Sequence, residues 1–208
     1  MAVDSSKAIQ SERKWSQQLF ACLQEMAMQD TNAVLLTLAD ADVFESERHY
    51  PESGLVFGNG RWRSFYHCHE DGLRHENEHG HFHIFTDVGN RQWAHVAALA
   101  IDISGQPLHW FVVNRWVTDG PWLKLEQFLH QIQSATEDSQ GSLVERWLHA
   151  MLQLYQPDLV ELLQQRDVRL AEYAAANNDE PVFDVREIYA LGSKSIELQS
   201  MLEMHLLH

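Results

Sequence analysis

The hydrophobic period of this 208-residue chain changes twice, and that change limits the folds open to it. From 5 to 29, Ile9, Trp15, Leu19, Leu23 and Met26 fall near one helical face, with Asp4, Ser5 or Ser6 available as caps. The apolar-then-acidic stretch 32–43 reads as a second short helix. His49-Tyr50-Pro51 and Glu52-Ser53-Gly54 read as a turn, because Pro51 cannot continue a helix. Between 61 and 118 the period becomes two, which predicts strands at 61–69, 78–86, 96–103 and 108–117, with Ser104-Gly105-Gln106-Pro107 as a hairpin turn. From 121 onward the helical period returns. Leu123, Phe128, Leu129 and Ile132 form one stripe, and Val144, Trp147, Leu148, Met151, Leu152 and Tyr155 form another. Pro157 suits the first turn of a helix reaching about 174, and a last helix is expected at 193–206. The pattern predicts one α+β domain: helical at 1–48, a His-rich antiparallel four-stranded β-meander within 49–120, and helical again at 121–208.

The chemistry gathers in the first two predicted strands. Of 13 histidines, six lie between Tyr66 and His83. Alternate strand residues share a face. Arg63, Phe65, His67 and His69 therefore lie together on the first strand, and His79, His81, His83 and Phe85 on the second. If the two pair as a hairpin, facing Cβ atoms are roughly 4.5–5.5 Å apart. Up to five imidazoles then converge on one space, close enough to share an ion. A one-residue slip would turn half of them away. Charged, such a cluster repels itself; neutral, it is a ligand set for Zn, Fe, Cu or Ni. Glu70, Asp71, Glu76 and Glu78 are near enough in sequence to complete or orient the set. The plain alternative is a polar sheet face of hydrogen-bonded histidines with no ion. His75 reads as a loop residue.

Composition narrows the partners. The net charge of -15 repels nucleic-acid phosphates and anionic membrane surfaces. Two cysteines, Cys22 and Cys68, make no disulfide framework, which fits a reducing cytoplasm. No signal-peptide pattern and no apolar run of membrane-spanning length is visible.

Two short motifs compete for the same residues. His75-Glu76-Asn77-Glu78-His79 matches the zinc-protease pattern H-E-x-x-H, but that chemistry needs a helix, and Gly80 and a strand follow. His79-Gly80-His81-Phe82-His83 resembles the histidine-triad motif of nucleotide hydrolases and transferases, which implies His81 as the phosphate-attacking nucleophile. Gly80 departs from that pattern, and no nucleotide-binding segment precedes it.

A broader set, His49-Tyr50-Pro51, Tyr66-His67-x-His69, Glu78-His79-Gly80-His81-Phe82-His83 and Asn114-Arg115-Trp116-Val117-Thr118, resembles an uncharacterised bacterial family, a domain of unknown function. The resemblance implies no activity. It groups His67, His69, His79, His81 and His83 and leaves out His75. The Asn114–Thr118 stretch reads either as a strand end packed by Trp116 or as a site mouth where Asn114 or Arg115 meets substrate. Arg63, on the histidine face, is a second anion-binding candidate. Tyr66 reads as core and His49 as a turn residue. The expected function is a metalloenzyme acting on a small substrate. Zn or Fe would be held by three or four of the five histidines, with Glu78, Arg63, Arg115 and Asn114 in catalytic roles. The alternatives are a non-catalytic metal or ligand binder and a phosphate-directed histidine enzyme.

Overall fold

The computed structural model describes residues 5–69, 77–134, 141–177 and 182–206. Six strands form one antiparallel sheet in chain order: β1 (Tyr50–Phe57), β2 (Trp62–His67), β3 (Gly80–Asp87), β4 (Trp93–Ile101), β5 (Pro107–Val113) and β6 (Ala190–Ser195). Helices α1 (Ser5–Met28) and α2 (Ala33–Leu38) precede it. Helices α3 (Leu125–Gln133), α4 (Leu143–Leu154) and α5 (Gln156–Ala176) fill the excursion between β5 and β6, and α6 (Leu198–Leu206) follows.

The α+β class agrees with the periodicity, but the sheet has six strands where four are expected. β1 covers the stretch that reads as a turn. Pro51 lacks a backbone donor, and an edge strand tolerates that loss. The edge is also covered from outside. Ser142 and Glu145 form a capping box at the start of α4, and Glu145 Oε1 accepts the Val56 N–H at 2.9 Å. β6 takes up Ser193–Ser195, which helical period assigns to the last helix. Its sequence, Ala-Leu-Gly-Ser-Lys-Ser, has little strand preference. Pairing with β5 and contact with α5 set its conformation. β5 stops at Val113. Asn114 then caps a 3-10 turn at Arg115–Val117 through its own side chain, so the expected strand end at 114–117 is a turn instead.

The sheet has two unlike faces. One carries Phe57, Trp62, Tyr66, Phe82, Ile84, Leu99, Ile101 and Trp110 into the main core with Trp147, Leu148 and Met151 of α4. Each fully buried aliphatic side chain there contributes about 1.5–3 kcal/mol. The other face has a small apolar cluster, Ala98, Ala100, Phe111 and Val113, next to the histidines. Among the described residues no helix is long and apolar enough to cross a membrane.

A histidine cluster as candidate metal centre

The β2–β3 register decides whether the imidazoles meet. His67 pairs with His81, Phe65 with His83 and Arg63 with Phe85. His67, His81 and His83 thus project from one face, all buried. Opposite His83 and His81, β4 presents only Ala98 and Ala100. These small side chains leave the space above the sheet to the rings. His67 Nε2 lies 2.7 Å from His81 Nε2 and 3.1 Å from His83 Nε2. One ligand atom from each of the three falls within 4.8 Å of the others, so the group could hold a metal ion. Tetrahedral bonds of 2.0–2.1 Å would place ligand nitrogens about 3.3 Å apart.

The outer nitrogens are engaged as well. Glu78, buried beside the cluster, meets His81 Nδ1 at 2.6 Å. His95 Nε2 meets His83 Nδ1 at 2.9 Å. Glu47 meets His69 Nδ1 at 2.7 Å. The His69 ring centroid is 4.8 Å from that of His67 and 5.2 Å from that of His81. Its Nε2 is buried with no hydrogen-bond partner among the described residues.

Glu47 reaches His69 because its N–H donates to Cys68 O at 2.8 Å, and the Tyr50 hydroxyl ties down the same loop through Val43 O and the Glu45 N–H. Two carboxylates and the His95 ring therefore orient the rings of His81, His69 and His83 from behind, an arrangement that fixes tautomers around metals.

Proton counting sharpens the point. A carboxylate accepts only, so neutral His81 carries its proton on Nδ1 and turns a lone pair inward at Nε2, and His69 donates from Nδ1 to Glu47. His67 Nε2 has two ring-nitrogen neighbours and, while neutral, at most one proton. One N–H can serve His81 or His83, not both. Protonating the rings is opposed by burial. Burial first, then the neighbouring imidazoles of His81, His69 and His49, pushes His67 down to about 2. Burial also holds His83 well below the usual imidazole range, and His81 is lowered by burial despite Glu78. His95 falls to about 3, from burial and then the Arg166 charge. The His67, His81 and His83 rings are held neutral, the state in which imidazole binds metal, and one of the two gaps at His67 Nε2 is left without a bridging proton.

The candidates read from sequence separate here. His67, His81 and His83 come together, and His69 flanks them. His79 does not join them. β3 begins at Gly80, and the His79 ring stacks on Phe44 while its Nδ1 meets the Tyr66 hydroxyl at 2.5 Å. Glu78 lies behind His81, in contact with its Nδ1. Asn114 Nδ2 donates to Val182 O at 2.9 Å, and its Oδ1 accepts the Arg115 N–H at 2.8 Å. Its capacity is spent on holding the 182–185 stretch. Arg115 Nη2 donates to the two Asp184 carboxylate oxygens at 2.7 and 2.6 Å. Arg63 lies over Trp93, in a groove beside the cluster. His75, Glu70, Asp71 and Glu76 lie outside the described residues.

His95 is the residue that sequence reasoning missed. Strict alternation from Ala98 would put it on the core face. A bulge in β4 lets Ala97 pair with Ile84 and His95 with Phe85, and the additional residue returns His95 to the histidine side.

A family model described as a domain of unknown function (DUF6969) matches residues 13–196. No curated protein and no solved structure matches the chain.

Proposed function

The chain belongs to the DUF6969 family, a domain of unknown function, and we propose for it, from the histidine site alone, a metal-dependent enzymatic function on a small molecule. His67, His81 and His83 would hold one divalent transition ion, Zn or Fe, through their Nε2 atoms. Glu78 and His95 would position His81 and His83. The observation that carries the reading is the set of inward lone pairs that the protons of neutral rings cannot satisfy. A cation satisfies all of them together. Three imidazoles with a further position open to water or substrate is the ligand count of catalytic sites. All-imidazole ligation suits Zn, Fe, Cu and Ni better than Mg or Ca.

His69 favours a second reading. Its buried Nε2 could complete a closed four-histidine site, which would suit metal storage or structure rather than chemistry.

The test is elemental analysis of protein purified without an affinity tag. About one equivalent of Zn or Fe is expected, lost in His81→Ala. His69→Ala decides between the readings. Unchanged stoichiometry and affinity fit the three-ligand enzyme, and loss of metal fits the closed site. Metal-free protein whose stability is indifferent to added Zn or Fe would defeat both.

A further inference from the structure

A groove of about 510 Å³ lies beside the histidine cluster on the same face of the sheet. Phe65 and Phe85 form its floor. The Phe65 ring is 5.3 Å from His83 and 5.8 Å from His67, so cluster and groove share a wall. His49, stacked on Phe65 at 3.8 Å, closes one side, and Trp93 the other. The cavity is large enough for a small metabolite, with an aromatic floor and polar groups, among them Arg63, Gln92 and Thr118, around it.

Arg63 is the polar group that stands out. Its guanidinium lies over the Trp93 ring at 4.4 Å, and among the described residues it makes no ion pair or hydrogen bond. The chain has 30 acidic residues against 15 basic ones. Arg48, Arg115, Arg146 and Arg166 are all described with carboxylate partners. Stacking on an indole orients the guanidinium and leaves its N–H fork open, the geometry that receives a carboxylate bidentately. Glu52, on the rim, is engaged by Arg48. Asp119, which also lines the groove, sets a limit, since a carboxylate there disfavours a second negative charge on the ligand. Arg63 and His67 are four residues apart on β2, roughly 13 Å along a strand. A molecule anchored at Arg63 would lay its body over Phe65 and Phe85, with its other end toward the histidines.

We propose that this groove binds a small monocarboxylate with a flat apolar body, its carboxylate on Arg63 and its far end directed at the histidine site. The subsite rests on the metal reading for what that far end meets, but not for its own affinity. Benzoate is the probe, with benzamide as its neutral counterpart and inorganic phosphate as the multivalent anion, measured by calorimetry on the protein as purified. Saturable benzoate binding is expected, weaker by at least tenfold in Arg63→Gln and partly restored in Arg63→Lys. Benzamide should bind at least tenfold more weakly than benzoate, and phosphate should not displace it. Because Arg63 is exposed, Arg63→Gln should keep the wild-type melting temperature and metal content. Benzoate binding indifferent to Arg63, benzamide binding as tightly as benzoate, or displacement by phosphate would overturn the proposal. Metal content of the same samples separates the two readings. His81→Ala that loses metal yet binds benzoate through Arg63 leaves the subsite intact. Metal-loaded protein whose benzoate binding ignores Arg63 refutes the subsite alone.

Discussion

Removing the Glu78 carboxylate should weaken metal binding without touching a ligand. Its side chain is only 3% exposed, and its Oε1 lies 2.6 Å from His81 Nδ1. The bond holds the His81 proton on the outer nitrogen, so the inner one faces the cluster as a lone pair. Glu78→Ala frees both tautomer and ring. Loss of such an outer partner costs about 10- to 100-fold in metal affinity, or roughly 1.4–2.7 kcal/mol. With free zinc buffered at 1,000 times the wild-type Kd, the wild type gains about 4.1 kcal/mol of stability from the metal. The variant should gain only about 1.4–2.7 kcal/mol, by the same relation. In a chain of this size each kcal/mol moves the melting temperature by roughly 2–4 °C. Zinc should therefore raise the wild-type midpoint by about 8–16 °C and that of Glu78→Ala by about 3–11 °C. Calorimetry of both proteins, in chelator and in buffered zinc, measures the two differences. Each protein is its own reference, so any cost of the substitution to the metal-free fold cancels. Glu78→Gln keeps an acceptor oxygen and should fall between them. A zinc-induced rise in Glu78→Ala equal to that of the wild type would refute the assigned role of Glu78.

Other consequences are as sharp. Gly80→Ala would bring a Cβ to 2.5 Å from both the His67 carbonyl oxygen and the Tyr66 hydroxyl. It should cost about 1–3 kcal/mol by denaturant titration, as overpacking does, and reduce metal retention. The metal-free protein should be acid-labile. His67 and His95 titrate at about 2 and about 3 when folded, against an ordinary value of 6.5. The unfolded chain thus takes up protons that the folded chain refuses. Stability is complete above about pH 6.5 and is lost as pH falls toward 3 and then 2, by about 2 kcal/mol per ring at pH 5. Denaturant midpoints at pH 7.5 and 5 in chelator test this, and His95→Asn should remove its own share of the slope. The Tyr155 hydroxyl has no hydrogen-bond partner among the described residues, and burial, with Asp158 and Glu197, pushes its pKa up. Its contribution holds below about pH 10 and is lost as pH rises beyond, where the unfolded phenol ionises. Tyr155→Phe should be neutral or stabilising by up to about 1 kcal/mol at pH 7, and should flatten the alkaline loss seen in thermal melts.

The two-residue alternation in β2 and β3 was enough to place His67, His81 and His83 on one face, because alternation is a property of the extended backbone itself. Helical period likewise marked α1, α4 and α5. What sequence hid was of three physical kinds. Edge pairing made a strand of Tyr50–Phe57 despite Pro51, and of Ala190–Ser195 despite weak preference, because the partner strand supplied the order. A single additional residue in β4 moved His95 across the sheet, and no composition announces a bulge. Local hydrogen bonding captured Asn114, whose amide suits a cap as well as a substrate.

His79 shows why counting imidazoles on a predicted face overstates a ligand set. It precedes Gly80, where the missing Cβ lets the Tyr66 phenol and the His67 carbonyl come close. The His79 ring follows Tyr66 and pairs with its hydroxyl. Parity along a strand predicts a face only while the strand lasts, and here it starts one residue later. Partners on the outer nitrogens aim some of the rings that do meet. Glu78 and His95 turn the inner nitrogens of His81 and His83 toward His67, and Glu47 holds the outer nitrogen of His69 beside them. Glu47 comes from a loop 22 residues before His69, and His95 follows His83 by 12. Spacing between histidines carries no trace of either. The register brings the rings together, and the groups behind them decide which nitrogens a cation would meet.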